Sequence, residues 1–349
     1  MRIFIFCIMS STFFLLGCQK PTQPQNEHEL ATQQAAKKIT SQEACQKLDQ
    51  IMQKIDNHST IEALNQINAQ LKQCIATVEN AQQLKWLENS IQMYQRFFAE
   101  AGWSADNNKF YDYTISISEN TDQADDAHIK LGDPTLFKLL PARDQYLLKH
   151  QGEAYIKLQD VGEAIFEYHR HPQYIIDIFA PALPKDQQVF VQRMAKDNQD
   201  ILYSDAALAV SWVELVERAL FWEQYLQQYP NATFKADAQN LFHEYRYLIF
   251  FGSDNTPVSD LFFKDAWINE EALTEIKKLA KRQDTSLHIP AKKFLNFIQF
   301  SLDEHNQVMN ISDSPHVHLK KFLDVKNPWD DHNGRDCHTD AVCLQYSVN

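Results

Sequence analysis

Two histidine pairs, Glu167-Tyr168-His169-Arg170-His171 and His316-Val317-His318, come nearest in type and spacing to a metal site. Imidazoles at i and i+2 face one way only along a strand or extended loop. Asp313, Asp324, His332 and His338 are near in sequence, so His316 and His318 could complete a set of borderline ligands. Thirteen histidines make such pairs frequent by coincidence, so solvated or structural roles are expected and no metal or cofactor is assigned. His243-Glu244 opens an H-E-x-x-H pattern, but Tyr247 stands where the second ligand is needed. Carboxylate pairs such as Glu214 and Glu217 could serve glycosidic chemistry, although a charged pair opposite an apolar helical stripe reads first as a wet face. The glycines at 17, 102, 132, 152, 162, 252 and 334 form no phosphate loop, and G-x-S-x-G is absent.

These residues have to be placed mainly by helices. Leu48, Ile51, Met52 and Ile55, then Ile61, Leu64, Ile67, Leu71, Ile75 and Val78, recur at helical spacing around a turn at Asn57-His58. Ser59 and Glu62 have the spacing of a capping box for the second helix. A third helix carries Leu84, Leu87, Ile91, Tyr94 and Phe98 and ends near Gly102. Tyr111 to Ser118 alternates like a strand, with Glu163 to Tyr168 as its candidate partner. From a cap at Ser204 or Asp205, Trp212, Leu215, Val216, Ala219, Trp222 and Leu226 mark a long helix ended by Pro230. Phe234, Ala238, Leu241, Tyr245 and Leu248 mark its successor, and further helices fit Glu270 to Lys281 and Pro290 to Leu302. Trp86, Tyr94, Phe97 and Phe98, or Trp212, Phe221, Trp222 and Tyr225, could line a peptide or glycan groove, but core packing is the expectation.

The 349 residues are 44% hydrophobic and 23% charged, which excludes wholesale disorder. Only 7 are glycine, against about 7% in average proteins, and this disfavours hairpin-rich and phosphate-loop folds. A formal net charge of −13 argues against nucleic-acid partners and suits a basic one. The expected fold is mainly α, a multi-helix bundle or irregular helical array with an N-terminal αα-hairpin and at most a small β element.

The first residues, MRIFIFCIMSSTFFLLG, hold one positive charge and an apolar run too short to span a bilayer, as in a secretory signal. The run ends in Leu15-Leu16-Gly17-Cys18, which resembles the lipobox of bacterial lipoproteins. That resemblance implies cleavage before Cys18, acylation of Cys18 as the anchor, and sorting to the outer membrane because Gln19 follows. Two or more acyl chains hold a protein stably where one does not.

On that reading Cys7 is cut away and Cys18 is lipidated, leaving Cys45, Cys74, Cys337 and Cys343 in an oxidising compartment. Of three possible connectivities, Cys45–Cys74 is favoured, because its midpoint falls at the Ser59-Thr60 turn of the first helical hairpin. Cys337 and Cys343 then close a short loop at the carboxyl end. Zinc ligation by all four lacks the usual paired knuckles.

The chain accordingly divides into a signal (1–17), a Gln-rich flexible tether (18–39), a helical body (40–302, its hairpin region 40–101) and an irregular disulfide-closed tail (303–349). In the tail, Val317, Leu319, Phe322, Leu323 and Trp329 are expected to dock on the body. The expected function is that of a non-enzymatic, periplasm-facing outer-membrane lipoprotein that acts through protein or cell-envelope contacts. NAQQLKWLENS and DCHTDAVCLQY are also similar to segments of lysozyme-inhibitor lipoproteins, which implies an alternative partner, a basic hydrolase. An unrecognised envelope hydrolase is the third reading.

Overall fold

A computed structural model describes residues 43–102, 104, 107–119, 132–308, 314–330 and 334–345. The lipobox, Cys18 and the tether lie outside the described residues, as do Asp313 and His332. Of the unit Met1–Ala44 only Glu43 and Ala44 are described, both helical; every element below belongs to the unit Cys45–Asn349. No helix among the described residues is long and apolar enough to cross a membrane.

The fold is mainly α-helical, with only two-stranded sheets beside the helices. Helices α1 (Leu48–Met52) and α2 (Ile61–Cys74) form the first hairpin, and α3 (Asn80–Phe98) packs on it. Ile61, Leu64, Ile67 and Leu71 supply the buried stripe of α2. The Cys45–Cys74 disulfide closes the hairpin, with its Cα atoms 5.6 Å apart. The cap is Thr60 and not Ser59: the Thr60 side chain accepts from the Ala63 amide, while Ser59 turns back to bond Asp56. Thr60 has the extended backbone of an N-cap, φ −93° and ψ 161°, which leaves its hydroxyl facing the first helical turn.

The strand expected at Tyr111 to Ser118 is a helix, α4 (Asn108–Glu119). Phe110, Tyr113 and Ile117 recur at three- and four-residue intervals, and burying that face outweighs the β preference of the tyrosines and isoleucines. Helices α5 (Pro134–Phe137) and α6 (Ala142–Lys149) follow. The sheet partner of the 163–168 region is instead the adjacent strand: β1 (Ile156–Gly162) pairs antiparallel with β2 (Ile165–Arg170). Its turn places Glu163 and Ala164 at φ 55° and 58°, the left-handed geometry of a tight hairpin.

After α7 (Gln173–Ile178) and α8 (Lys185–Asp197), a small hairpin of β3 (Tyr203–Ser204) and β4 (Ala207–Leu208) occupies the expected cap region of the next helix. Helix α9 (Trp212–Gln228) therefore starts later, with the Ser211 side chain accepting from the Glu214 amide. It packs against α10 (Lys235–Phe251), a close helical pair that bears out the two predicted stripes. Helix α10 ends at Gly252, whose φ is +75°; a Cβ there would lie 2.1 Å from the Thr256 carbonyl oxygen, so glycine is required. The short sheet of β5 (Gly252–Ser253) and β6 (Thr256–Pro257) forms this turn. Helices α11 (Glu270–Leu279) and α12 (His288–Phe297) follow as expected, each slightly shorter than its sequence pattern.

The tail is more regular than its fading periodicity implied. It contains α13 (Leu302–Val308) and α14 (Pro315–Leu323), the latter capped by Ser314. The last strands, β7 (Arg335–Asp336) and β8 (Leu344–Gln345), flank the Cys337–Cys343 disulfide. Leu319 and Leu323 are buried, and Val317 is partly covered. Phe322 and Trp329 remain 40% and 43% exposed although each contacts body aromatics, Phe297 for the first and Tyr247 for the second.

Candidate functional site

The carboxyl-terminal disulfide loop is seated in the helical body by buried polar contacts. Arg170 on β2 donates twice to Asp340, at 3.0 and 2.8 Å, and once to the Ser90 hydroxyl on α3 at 2.8 Å. Asn198, just after α8, donates to the backbone carbonyls of Cys337 and Asp340. Arg335 pairs with Asp237 on α10 and also donates to the Cys343 carbonyl. A loop that ends a chain ordinarily frays; here main-chain acceptors and one buried carboxylate hold it.

Seating the loop creates a cleft of about 510 Å³ between itself, α10, Tyr203 of β3 and the segment that follows α14. Its floor is polar. Glu244 on α10 accepts from the Tyr203 hydroxyl at 2.6 Å, and the His338 Nε2 lies 3.0 Å from each of its carboxylate oxygens. Burial works against a charged His338 ring, but the Glu244 carboxylate, by charge and hydrogen bond, raises its pKa above 6.5 overall. Burial and then the Glu244 charge raise the Tyr203 pKa, so this phenol stays protonated and serves as a donor. His243 is pushed the other way, by burial and then by Arg246 and Lys326.

Cations dominate the rest of the lining: Arg246, Lys326 and Arg335 stand with His338 against Glu244 and Asp324. Arg246 donates its Nη2 to the Leu323 carbonyl at 2.8 Å, while its Nε is buried without a hydrogen-bond partner. His338 Nδ1 is likewise buried and unpartnered. At the mouth, Trp329 leans edge-on against Tyr247, with ring centroids 5.3 Å apart. The Asn240 and Asn327 amides lie in the same lining.

Glu244 thus faces two side chains at once, the Tyr203 hydroxyl and the His338 ring, and holds both against the floor of the cleft. Glu214 and Glu217 are committed elsewhere, to Arg218 and to the Arg193–Lys196 pair respectively.

Among the described residues, neither histidine pair belongs to a cluster with metal-ligating spacing. His316 and His318 lie on α14, where two residues turn a helix by about 200°. His316 packs on Phe251 and Phe262. His169 faces Glu167, and His171 accepts from the Gln173 amide. Among the described residues, the cluster with metal-ligating spacing is Asp237 with Cys337 and Cys343, whose sulfurs are joined in the disulfide.

Both segments similar to lysozyme inhibitors are buried in part, and His338 of the second lines the cleft. Gln83, Trp86, Leu87 and Ser90 are buried in α3, and Asp340, Ala341 and Val342 are buried in the terminal loop. The aromatic groups around Trp86 and Trp222 are core as well. Sequence reading singled out Glu244, His338 and Trp329 for other reasons and passed over Tyr203, Arg246 and Arg335. Arg246 lies between the apolar positions Tyr245 and Leu248 and reads as an ordinary wet-face residue. No family model matches the chain, and no curated protein or solved structure matches it.

Proposed function

We propose that this chain is a non-enzymatic lipoprotein of the outer membrane, tethered through Cys18 on the periplasmic side, whose body recognises an envelope component through the cleft beside Trp329. The observation that carries the reading is the cleft's chemistry. Its half-buried acid Glu244 is already hydrogen-bonded, and Arg246, Lys326, Arg335 and an exposed aromatic ring line a volume large enough for a small ligand. The overall charge of −13 repels anionic envelope polymers in general, so a local cationic cleft gives selective contact at one place. The test uses the full chain in cells and in extracts. Wild type should fractionate with the outer membrane, and Cys18→Ala should release it. The released protein should sediment with envelope fragments, and Trp329→Ala should weaken that association. Retention of Cys18→Ala in the membrane would refute the anchor; cleavage of the envelope material by the purified chain would refute the non-enzymatic reading.

A further inference from the structure

Arg246 and His338 come from different elements, α10 and the disulfide loop, yet line one cleft, and each keeps a buried nitrogen without a partner. Buried polar atoms in folded proteins are almost always paired, and leaving one unpaired is destabilising. Two in one concave site therefore point to a shared acceptor. The Arg246 Nε can only donate. The His338 ring directs Nε2 toward the acceptor-only Glu244 carboxylate, whose charge favours the protonated ring, the form in which Nδ1 donates too. An oxyanion answers both donors, and a carboxylate matches the planar edge of a guanidinium. Trp329 supplies a flat apolar face at the mouth, on which a sugar ring can lie, and Asn240 and Asn327 offer amides to ring hydroxyls.

We propose that the cleft binds a carboxylate-bearing sugar, its acid group held by Arg246 and His338 and its ring laid on Trp329. This rests on the binding role proposed above and names the ligand class. Both donor nitrogens are covered, so seating the acid requires the Arg246 side chain and the His338 ring to turn toward the cleft. Asp324 also lines the site, and its charge opposes the ligand, which the surrounding cations must outweigh.

The experiment is calorimetric titration of the full chain carrying Cys18→Ala with three probes: N-acetylmuramic acid, N-acetylglucosamine as the same ring without the acid, and inorganic phosphate. The sugar acid should bind about tenfold or more tightly than the neutral sugar, since charge-assisted hydrogen bonds discriminate at that level. Arg246→Gln should erase the preference. Trp329→Ala, at an exposed position that leaves the fold intact, should weaken sugar-acid binding without changing phosphate binding. Equal affinity for acid and neutral sugar overturns the proposal, as does phosphate binding as tight as the sugar acid with no response to Trp329→Ala. If Trp329→Ala abolishes envelope sedimentation but no sugar acid binds, the ligand class fails while the binding role stands. If neither assay responds, both fail.

Discussion

Replacing Asp340 with Ala should be among the most damaging changes available in this chain outside its apolar core. The side chains of Asp340 and Arg170 are 4% and 3% exposed, and Arg170 loses two hydrogen bonds at once. Burial raises the Asp340 pKa while Arg170 pulls it back, so the pair contributes specificity more than net stability. Removing one partner is another matter, because it strands a buried guanidinium that keeps Ser90 and the ring faces of Tyr174 and Tyr94, 4.4 and 5.5 Å away, but no carboxylate. Breaking a buried pair in this way costs about 3 to 5 kcal/mol. At this chain length that corresponds to a fall in Tm of about 4 to 8 °C. Urea unfolding followed by circular dichroism and by tryptophan fluorescence measures it, with coincident transitions required before a single free energy is used. Arg170→Met combined with Asp340→Leu supplies the control: an apolar replacement of both partners should recover most of the loss. A cost below about 1 kcal/mol for Asp340→Ala would show that the loop is not held by this contact, and the account of how the cleft is built would be wrong.

Cys45→Ser with Cys74→Ser opens a loop with a sequence separation of 29 and should destabilise by about 3 to 4 kcal/mol, read from the urea midpoint against wild type. Truncating Trp222, which is fully buried against Phe190 and Tyr225, to Ala should cost about 3 to 5 kcal/mol, and a loss under 1 kcal/mol would contradict its place in the core. His338 faces Glu244, Asp336, Arg218 and Tyr203, and its pKa is raised in the folded state. Its contribution is therefore complete below the unfolded value of 6.5 and is lost as pH rises through the folded value. His338→Gln should flatten the decline of Tm above pH 6.5. His171, His243, His305 and His316 are shifted down by burial, so their contribution runs the opposite way and is lost on acidification below 6.5. An alkaline limb that His338→Gln leaves unchanged would refute the charged His338–Glu244 contact.

The helical body was legible wherever one apolar stripe repeated over three turns, as in α2, α9 and α10, because burial of such a face dominates local preference. The Cys45–Cys74 staple was legible because a local hairpin fixes which residues meet across it. Tyr111 to Ser118 misled because tyrosine and isoleucine favour strands, and only the tertiary burial of Phe110, Tyr113 and Ile117 makes the segment helical. Helix α14 was missed because it buries only Leu319 and Leu323, too few to register as a period. His316 and His318 suggested a shared ligand direction only on the premise of an extended chain, and Pro315 at the start of a Ser314-capped helix removes it. The cleft was out of reach for a different reason: Tyr203, Glu244, Arg246, Trp329 and His338 share no local pattern and meet only once the terminal loop is docked by Asn198 and Arg170.

The most direct test of the central claim is a nuclear magnetic resonance titration that follows the Arg246 Nε–H and the Trp329 indole as N-acetylmuramic acid is added to the full chain carrying Cys18→Ala. A seated carboxylate gives the Nε–H its missing acceptor, so that resonance should move downfield saturably, together with the indole and the His338 ring signals. N-acetylglucosamine should leave the Nε–H unmoved at the same concentration. An Nε–H that stays fixed while the sugar acid saturates other parts of the protein, or that moves equally with the neutral sugar, would contradict the assignment of this cleft as the binding site.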